Sequence, residues 1–289
     1  MSHATEEGHS AEELSLTFDD IEAPFTRPVL EDRVEEIVDY NLVYRDAFRD
    51  YDATGINSNV VQIPVPDEKD GRPKIVDEGA EFPRSHEEYA LVELRFDKFG
   101  FEVPITWEAS EDSRLNLAQD QVDMQARDMA RDINERAFEV IDGELGAETV
   151  GDANGTFTYD DLLEGRRELV TKSYNPDLLI ADVDAVHDLL KSDNFLSASE
   201  MQGELRRSGA VGRIAGMDIV EDDSGLPLGG ETNPGALMVD TSFFGYEGTR
   251  TPITTEDYEE IRTQTEVFRI FTRMGWLVTQ GESGVIIEG

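Results

Sequence analysis

Residues that could support catalysis are few in this sequence, and they do not follow catalytic spacings. The four histidines, His3, His9, His86 and His187, are far apart, and none belongs to a His-x-x-x-His pair that could bind zinc. There is no cysteine, which excludes disulfides, zinc–thiolate sites and thiol nucleophiles. The chain also has no Gly-x-Ser-x-Gly elbow and no phosphate-binding P-loop. We therefore predict no catalytic residue and no cofactor.

Carboxylates are the one abundant reactive group. The chain has 64 Asp and Glu residues against 25 Lys and Arg, for a formal net charge of −39. At this density adjacent pairs such as Asp160-Asp161 and Asp222-Asp223 arise by chance, so a solvated acidic surface is favoured over a general acid–base pair. The segment from Asp152 resembles the start of a calcium loop, but Phe157 and Leu163 replace the required glycine and glutamate. We predict no specific metal site and allow only loosely bound cations.

The charge balance also indicates where the protein works. Only five of the 25 basic residues are lysines, while 38% of the residues are hydrophobic. At molar salt the Debye length falls to about 3 Å, so the self-repulsion of such a chain is mostly screened. This composition is typical of a protein from a salt-loving organism. No Lys/Arg cluster exceeds two residues, which argues against a nucleic-acid groove. Without an apolar signal or membrane segment, we expect a soluble protein made in the host cytoplasm.

The elements that would position any site are arranged around one long predicted helix, from Ser110 to Gly143. Asp112 and Ser113 are candidate N-caps, and Gly143 is the expected stop. At 1.5 Å per residue the helix would be roughly 45 Å long, and it is too polar to span a membrane. Its apolar residues recur in steps of three and four, and they are Leu115, Ala118, Val122, Ala126, Met129, Ile133, Ala137 and Val140.

Residues 59–106 predict two long strands joined by a charged tip. Apolar residues alternate over 61–65, a turn is expected at Asp67–Pro73, and alternation returns at Val92. The alternation then shifts by one residue at Lys98. Because such a slip moves the apolar set to the other face, we expect this return strand to change partners midway. An ordinary meander in a β-sandwich is the alternative.

The remaining segments predict an N-terminal arm and an α/β module. Residues 1–58 contain spaced apolar residues and a short helix at Glu31–Val38, so we favour an arm that lies on another surface over a frayed terminus. In the module, Thr158 and Asp161 have the spacing of a capping box. Predicted elements from there on are helices 159–173 and 184–191 and strands 178–181, 217–220, 236–240, 265–278 and 285–287.

This order of elements resembles the major capsid protein of tailed bacteriophages, the Hong Kong 97-type fold. The run Val103-Pro104-Ile105-Thr106, followed by Glu108 and Asp112-Ser113, resembles the family's strand leading into its spine helix. Asn175-Pro176-Asp177 resembles the start of its strand–helix unit. Residues 212–227, 237–244 and 267–289 resemble a further segment and the closing strands.

The resemblance implies an α+β fold with five parts. These are an N-terminal arm (1–58), an extended-loop hairpin (59–106), a peripheral domain with the spine helix (107–151), an axial α/β domain (152–260), and a return strand with a C-terminal strand (261–289). The hairpin and the arm would lie across neighbouring subunits. The spine-helix core would contain Leu115, Val122, Met129 and Ile133, and candidate inter-subunit contacts are Asp67, Lys69, Arg72, Glu78, Arg84, Arg269 and Arg273.

The resemblance also implies partners and a location. Copies of the chain would form hexamers and pentamers of a virion capsid around double-stranded DNA, which is held without sequence recognition and without a membrane. Portal, scaffold or protease, and decoration proteins would join them, and the composition suggests a virus of a halophilic archaeon.

Some family members cross-link a loop lysine to a neighbour's asparagine. Lys69 and Lys74 are suitably placed, but no asparagine follows Asn233, so we predict no cross-link. Two alternatives remain open at this point. One is an encapsulin-type compartment, which would favour an amphipathic N-terminal helix, and the other is a soluble acidic hydrolase.

Overall fold

The computed structural model describes residues 27–70, 86–106, 115–146, 149–191, 212–230, 233–262 and 265–289. The helices are α1 (Arg27–Asn41), α2 (Leu115–Leu145), α3 (Tyr159–Thr171) and α4 (Val183–Lys191), with 3₁₀ turns at Tyr44–Ala47 and Gly281–Ser283. The strands are β1 (Arg49–Asp52), β2 (Val60–Asp70), β3 (His86–Arg95), β4 (Asp97–Thr106), β5 (Thr149–Val150), β6 (Leu178–Asp182), β7 (Arg213–Ile214), β8 (Met217–Asp222), β9 (Gly235–Val239), β10 (Gly245–Glu260), β11 (Thr265–Val278) and β12 (Gly284–Glu288).

The long helix α2 packs across a four-stranded sheet of order β1-β10-β11-β4, which we call the peripheral sheet. Alternate residues of β11 point toward the helix, and Ile270, Met274 and Trp276 share one buried cluster with Met129 and Ile133. The predicted bounds of β11 and its apolar face are confirmed. Burial of this continuous helical stripe, not intrinsic helix propensity, supplies most of the stability of such a helix.

The predicted bounds of the long helix need one correction. Gly143 lies inside α2, which continues to Leu145, so the expected stop at Gly143 is wrong. Leu145 is only 6% exposed and belongs to the core cluster, and its burial favours two more helical residues. The candidate caps Asp112 and Ser113, and the side chain of Leu115, lie outside the described residues.

The segment before β1 packs on its own chain. Helix α1 is longer than the predicted helix at 31–38, and Pro28 fits because the first turn needs no backbone N–H. Leu30, Val34 and Val38 are buried in the cluster that contains α2. The guanidinium of Arg33 donates two hydrogen bonds to Asp123 of α2. From residue 27 onward the predicted arm is therefore part of the subunit core, and residues 1–26 lie outside the described residues.

The second sheet has the order β5-β12-β9-β6-β8-β7, and we call it the axial sheet. It packs with α3 and α4 around a separate buried cluster. The predicted capping box is confirmed: the Asp161 backbone N–H donates to the Thr158 hydroxyl oxygen, and the Thr158 backbone N–H donates to the Asp161 carboxylate. The predicted strands and helices of this module agree with the observed ones within two residues at each end.

Strand β10 was absent from the sequence prediction, and it changes the domain boundaries. We assigned residues 152–260 to the axial domain, but Gly245–Glu260 pairs with β11 in the peripheral sheet. Its glycines, threonines and acids hide the strand pattern, and its register is set by a partner further along the chain. The last strand, β12, returns to the axial sheet beside β9. Within the described part of the chain, no helix combines the length and apolar character needed to cross a membrane.

Candidate functional site

The hairpin of β2 and β3 forms a two-stranded sheet of its own. Its pairing runs from Val60 opposite Arg95 to Asp70 opposite His86. Strand β2 continues to Asp70, so the expected turn at 67–73 is wrong for residues 67–70, and residues 71–85 lie outside the described ones. One face of the hairpin base is buried in a cluster made by Ala53, Ile63, Val65, Leu94, Phe96 and Leu277.

The return strand changes partners as predicted. Strand β3 pairs with β2, whereas β4 pairs with β11 in the peripheral sheet, and Phe96 separates the two. Leu94 and Phe96 pack in the hairpin cluster, but Val103 packs in the core against α2. The phase slip at Lys98 therefore lies two residues after Phe96, where the chain passes from the hairpin to the peripheral sheet.

The opposite face of the hairpin carries exposed apolar side chains. Leu91 is 62% exposed and Tyr89 is 58% exposed, and Leu91 is the register partner of Pro64. Exposed apolar groups that lie side by side on a projecting element are typical of an interaction surface. This strip is therefore a candidate contact with another molecule.

Arg269 and Arg273 lie on the face of the peripheral sheet opposite α2. Arg269 is already engaged within its own chain, because its Nε and Nη2 atoms each lie 2.8 Å from Glu102 Oε1. Its guanidinium is also 5.3 Å from the Tyr258 ring centroid. The hydrogen bond from Arg269 is the main cause that lowers the pKa of Glu102. Arg273 instead lies opposite Lys98 across the β11–β4 pair.

For the other five predicted contact residues, the side chains lie outside the described part of the chain. Asp67 and Lys69 lie on the distal part of β2, and their side chains are outside the described residues. Arg72, Glu78 and Arg84 lie outside the described residues altogether, as does Lys74. Arg269 and Arg273 are therefore the two of the seven candidates whose side chains the structure describes, and the role of all seven in contacts between subunits stays a prediction.

A buried hydrogen bond between the 3₁₀ turn after α1 and the axial sheet was not predicted from the sequence. The Tyr44 hydroxyl donates to Asp222 Oδ2, and both side chains are buried. Burial is the main cause that raises the pKa of Tyr44. We expected Asp222 on a solvated surface, but it is only 2% exposed. No local pattern could have paired Tyr44 with a residue this distant in the sequence.

A second carboxyl group, that of Asp182, lies beside this hydrogen bond. It lies opposite Asp222 in the parallel β6–β8 pair, and its Oδ2 atom accepts a hydrogen bond from the Gly235 backbone N–H at 3.0 Å. Burial raises the pKa of Asp182 to about 7, and the charge of Asp222 adds to the shift. The first residue of β9 is thus hydrogen-bonded to a carboxyl group whose pKa lies near neutral pH. Among the described residues no group of three or more His, Asp or Glu side chains could hold a metal ion.

Comparisons with known proteins agree with this architecture. A family model described as phage capsid protein matches residues 91–287. No curated protein matches the sequence. A solved structure titled Microbacterium phage Oxtober96 has a TM-score of 0.63 at 16% identity, covering 83% of this chain and 88% of that chain.

Two further solved structures are similar to this chain. The mature capsid of bacteriophage PhiM1 has a TM-score of 0.60 at 13% identity, covering 86% of this chain and 87% of that one. The capsid of cyanophage P-SCSP1u has a TM-score of 0.62 at 12% identity, covering 83% and 86%. At such identities the likeness shows the fold, which is of the Hong Kong 97 type. Because the family model spans most of its length, this chain belongs to the phage capsid protein family and is a viral capsid protein.

Proposed function

We propose that this capsid protein is the major shell subunit of a tailed virus and assembles as hexamers and pentamers into an icosahedral shell around double-stranded DNA. The observation that carries the proposal is the projecting hairpin with Tyr89 and Leu91 exposed on one face. In a closed symmetric shell each copy can offer one hairpin and receive another, so that these apolar side chains become covered.

The chain's charge defines how it would hold DNA. A protein with a net charge of −39 cannot attract phosphates through its overall field. The shell would therefore retain DNA by confinement, with cations bridging the two like-charged surfaces, and without reading its sequence. Loosely bound cations are the only cofactors in this proposal.

The salt-loving origin is proposed from composition alone. The structures named above come from bacteriophages and a cyanophage, so an archaeal host rests only on the acidic, lysine-poor sequence. At low ionic strength neighbouring subunits of this charge repel each other, and molar salt removes most of that repulsion. Shells that form in molar potassium chloride and dissociate near 0.1 M salt would support the proposal, whereas equal stability at both would contradict it.

The protein would act without catalysis, in the virion, after assembly in the host cytoplasm. Portal, scaffold or protease, and decoration proteins are the further partners that we propose. An encapsulin-type compartment is the runner-up. An encapsulin would favour an amphipathic N-terminal helix. The structure does contain such a helix, α1 at Arg27–Asn41, so the N-terminal segment no longer argues against an encapsulin. The match to the phage capsid family now favours the viral function over both this alternative and a soluble acidic hydrolase.

Electron microscopy of particles purified in molar salt tests the proposal. Shells filled with DNA are expected from a virus-producing host, and empty closed shells are expected from the chain expressed with its scaffold. Small shells filled with host protein would identify an encapsulin-type compartment. A monomer or small oligomer under all salt conditions would reject a shell-forming role.

A further inference from the structure

Two basic residues lie directly opposite each other on the face of the peripheral sheet that points away from α2. Lys98 of β4 is the register partner of Arg273 of β11. The Lys98 Nζ atom lies 4.2 Å from the ring centroid of Phe271, which is on the same face. Lys98 is exposed and Arg273 is half-buried. The face therefore presents two cations and an aromatic ring side by side.

This arrangement is unusual in a chain with 64 acidic residues. Other basic residues of this region have carboxylate partners: Arg269 pairs with Glu102 at 2.8 Å, and Arg136 pairs with Asp97 at 2.8 Å. Within the described residues, neither Lys98 nor Arg273 has an ion-pair partner. Like charges directly opposite each other in an antiparallel pair are destabilising. A local conflict of this kind is expected where a residue serves function rather than stability.

An open cleft of about 420 Å³ lies on this part of the sheet and is lined by Lys98 and Phe271 among other residues. Gly100 also lines it, and a Cβ atom there would lie only 2.6 Å from the Ile270 carbonyl oxygen. On its far side the charge of Glu102 is offset by Arg269. Glu256 also lies 3.8 Å from Arg269. Lys98, Arg269 and Arg273 together still outnumber these two carboxylates by one, so this part of the face is locally positive on a chain that is strongly negative overall.

We propose that Lys98, Arg273 and Phe271 form a binding surface for carboxylate side chains of a second copy of this chain. Charge complementarity carries the assignment, because any neighbouring copy brings a net charge of −39 to a surface where the described residues of the same subunit form no ion pair with Lys98 or Arg273. Charge-assisted hydrogen bonds from Lys and Arg to carboxylates are among the stronger polar contacts at interfaces. DNA is a poorer candidate, since the acidic chain repels its phosphates. The inference rests on the proposed shell-forming function.

Zero-length carbodiimide cross-linking provides the test, because it joins a lysine amine only to a carboxylate in direct contact. The chain has five lysines, so the cross-link map is simple. Subunits labelled with ¹⁴N and ¹⁵N are mixed before assembly, and shell formation is checked by electron microscopy. We expect Lys98 to be linked to an Asp or Glu peptide of the other isotope. Shells in which Lys98 has only same-isotope links, no link, or a link to another protein would overturn the inference.

Substitution of Lys98 and Arg273 distinguishes a role in contacts between subunits from a role in the stability of one subunit. In the double variant Lys98→Gln with Arg273→Gln, we expect the subunit's melting temperature to be unchanged or higher, because the like-charge repulsion is removed. The concentration needed for assembly should rise by about tenfold or more. The control, Arg167→Gln with Lys172→Gln, removes equal charge from exposed helix pairs and should assemble within about twofold of the wild type.

Three outcomes of the variant experiment would count against the inference. A double variant that melts at a lower temperature but assembles normally once folded would assign the pair to subunit stability instead. An equal loss of assembly in the control would point to overall charge rather than to this surface. Failure of the wild-type chain to form shells would reject the proposed function and the inference with it.

Discussion

The hydroxyl group of Tyr44 donates a hydrogen bond to the carboxylate of Asp222, at 2.5 Å between the two oxygens. Tyr44 belongs to the 3₁₀ turn that follows α1, and Asp222 ends the axial strand β8. The bond therefore joins a segment packed on the long helix to the axial sheet. Both side chains are buried, so water does not compete for the bond.

Replacing Tyr44 with phenylalanine should destabilise the subunit by about 1–3 kcal/mol, because it leaves the buried Asp222 carboxylate without this donor. Urea-induced unfolding followed by tryptophan fluorescence would measure the change. Tyr40→Phe is the matched control, since Tyr40 is 89% exposed, and its effect should be within about 0.5 kcal/mol. Equal effects in the two variants would show that the bond contributes no stability.

Asp182 should make stability depend on pH in the neutral range. Burial raises the pKa of Asp182 to about 7 in the folded protein, compared with about 4 for an unfolded aspartate. Between these values the folded state holds more protons than the unfolded state. The contribution of Asp182 is thus complete below about pH 4 and is lost as pH rises through about 7.

Asp182→Asn tests the direction of this pH dependence, because asparagine imitates the neutral carboxyl group and can still accept the Gly235 hydrogen bond. We expect the variant to match the wild type near pH 5 and to be more stable than it near pH 8, by thermal unfolding at constant salt. Asp128→Asn, at an exposed position on α2, is the control. A larger stability gain at pH 5 than at pH 8 would contradict the assignment.

The long helix contains a matched pair of methionines for testing its buried stripe. Met129 is 4% exposed and Met124 is 63% exposed. A charge at position 129 would be buried in the core against β11, so Met129→Asp should unfold the subunit, a loss of about 4 kcal/mol or more. Met124→Asp should leave the circular dichroism and melting of the isolated subunit nearly unchanged. A folded Met129→Asp subunit would show that the helix is misplaced.

Gly143 offers a stabilising substitution. It lies inside α2, and a Cβ atom built there would have no neighbour within 4 Å. Gly143→Ala should therefore stabilise the subunit by about 0.5–1 kcal/mol through reduced backbone entropy in the unfolded chain. Gly100→Ala is the contrasting variant, because its Cβ would lie 2.7 Å from Phe271 Cβ, and it should be destabilising. Unfolding midpoints that move in the same direction for both would refute this distinction.

The absence of a covalent cross-link is a further prediction about assembled shells. Lys69 and Lys74 lie in the hairpin region, but no asparagine follows Asn233 in the sequence. Boiled shells should therefore give a single band at 32.3 kDa on a denaturing gel. A ladder of higher bands, or a mass loss of one ammonia per linked subunit, would overturn the prediction.

The sequence by itself determined the features that depend on local periodicity. The apolar stripe of Val122, Met129 and Ile133 predicted the long helix, because residues three and four apart share a helix face. The phase slip at Lys98 predicted the change of strand partner, because side chains alternate along a strand. The capping box of Thr158 and Asp161 was equally local. The order of these elements was enough to suggest the capsid fold.

Only the tertiary structure decided which distant segments meet. It placed β10 in the peripheral sheet, joined Tyr44 to Asp222, and set Lys98 opposite Arg273. It also showed that Asp222 is buried, although nothing in the sequence distinguishes it from the other Asp and Glu residues among the 64. Each of these facts depends on strand register and on contacts between residues far apart in the chain. Local patterns carry no information on such contacts, because they arise only when separate apolar faces pack against one another.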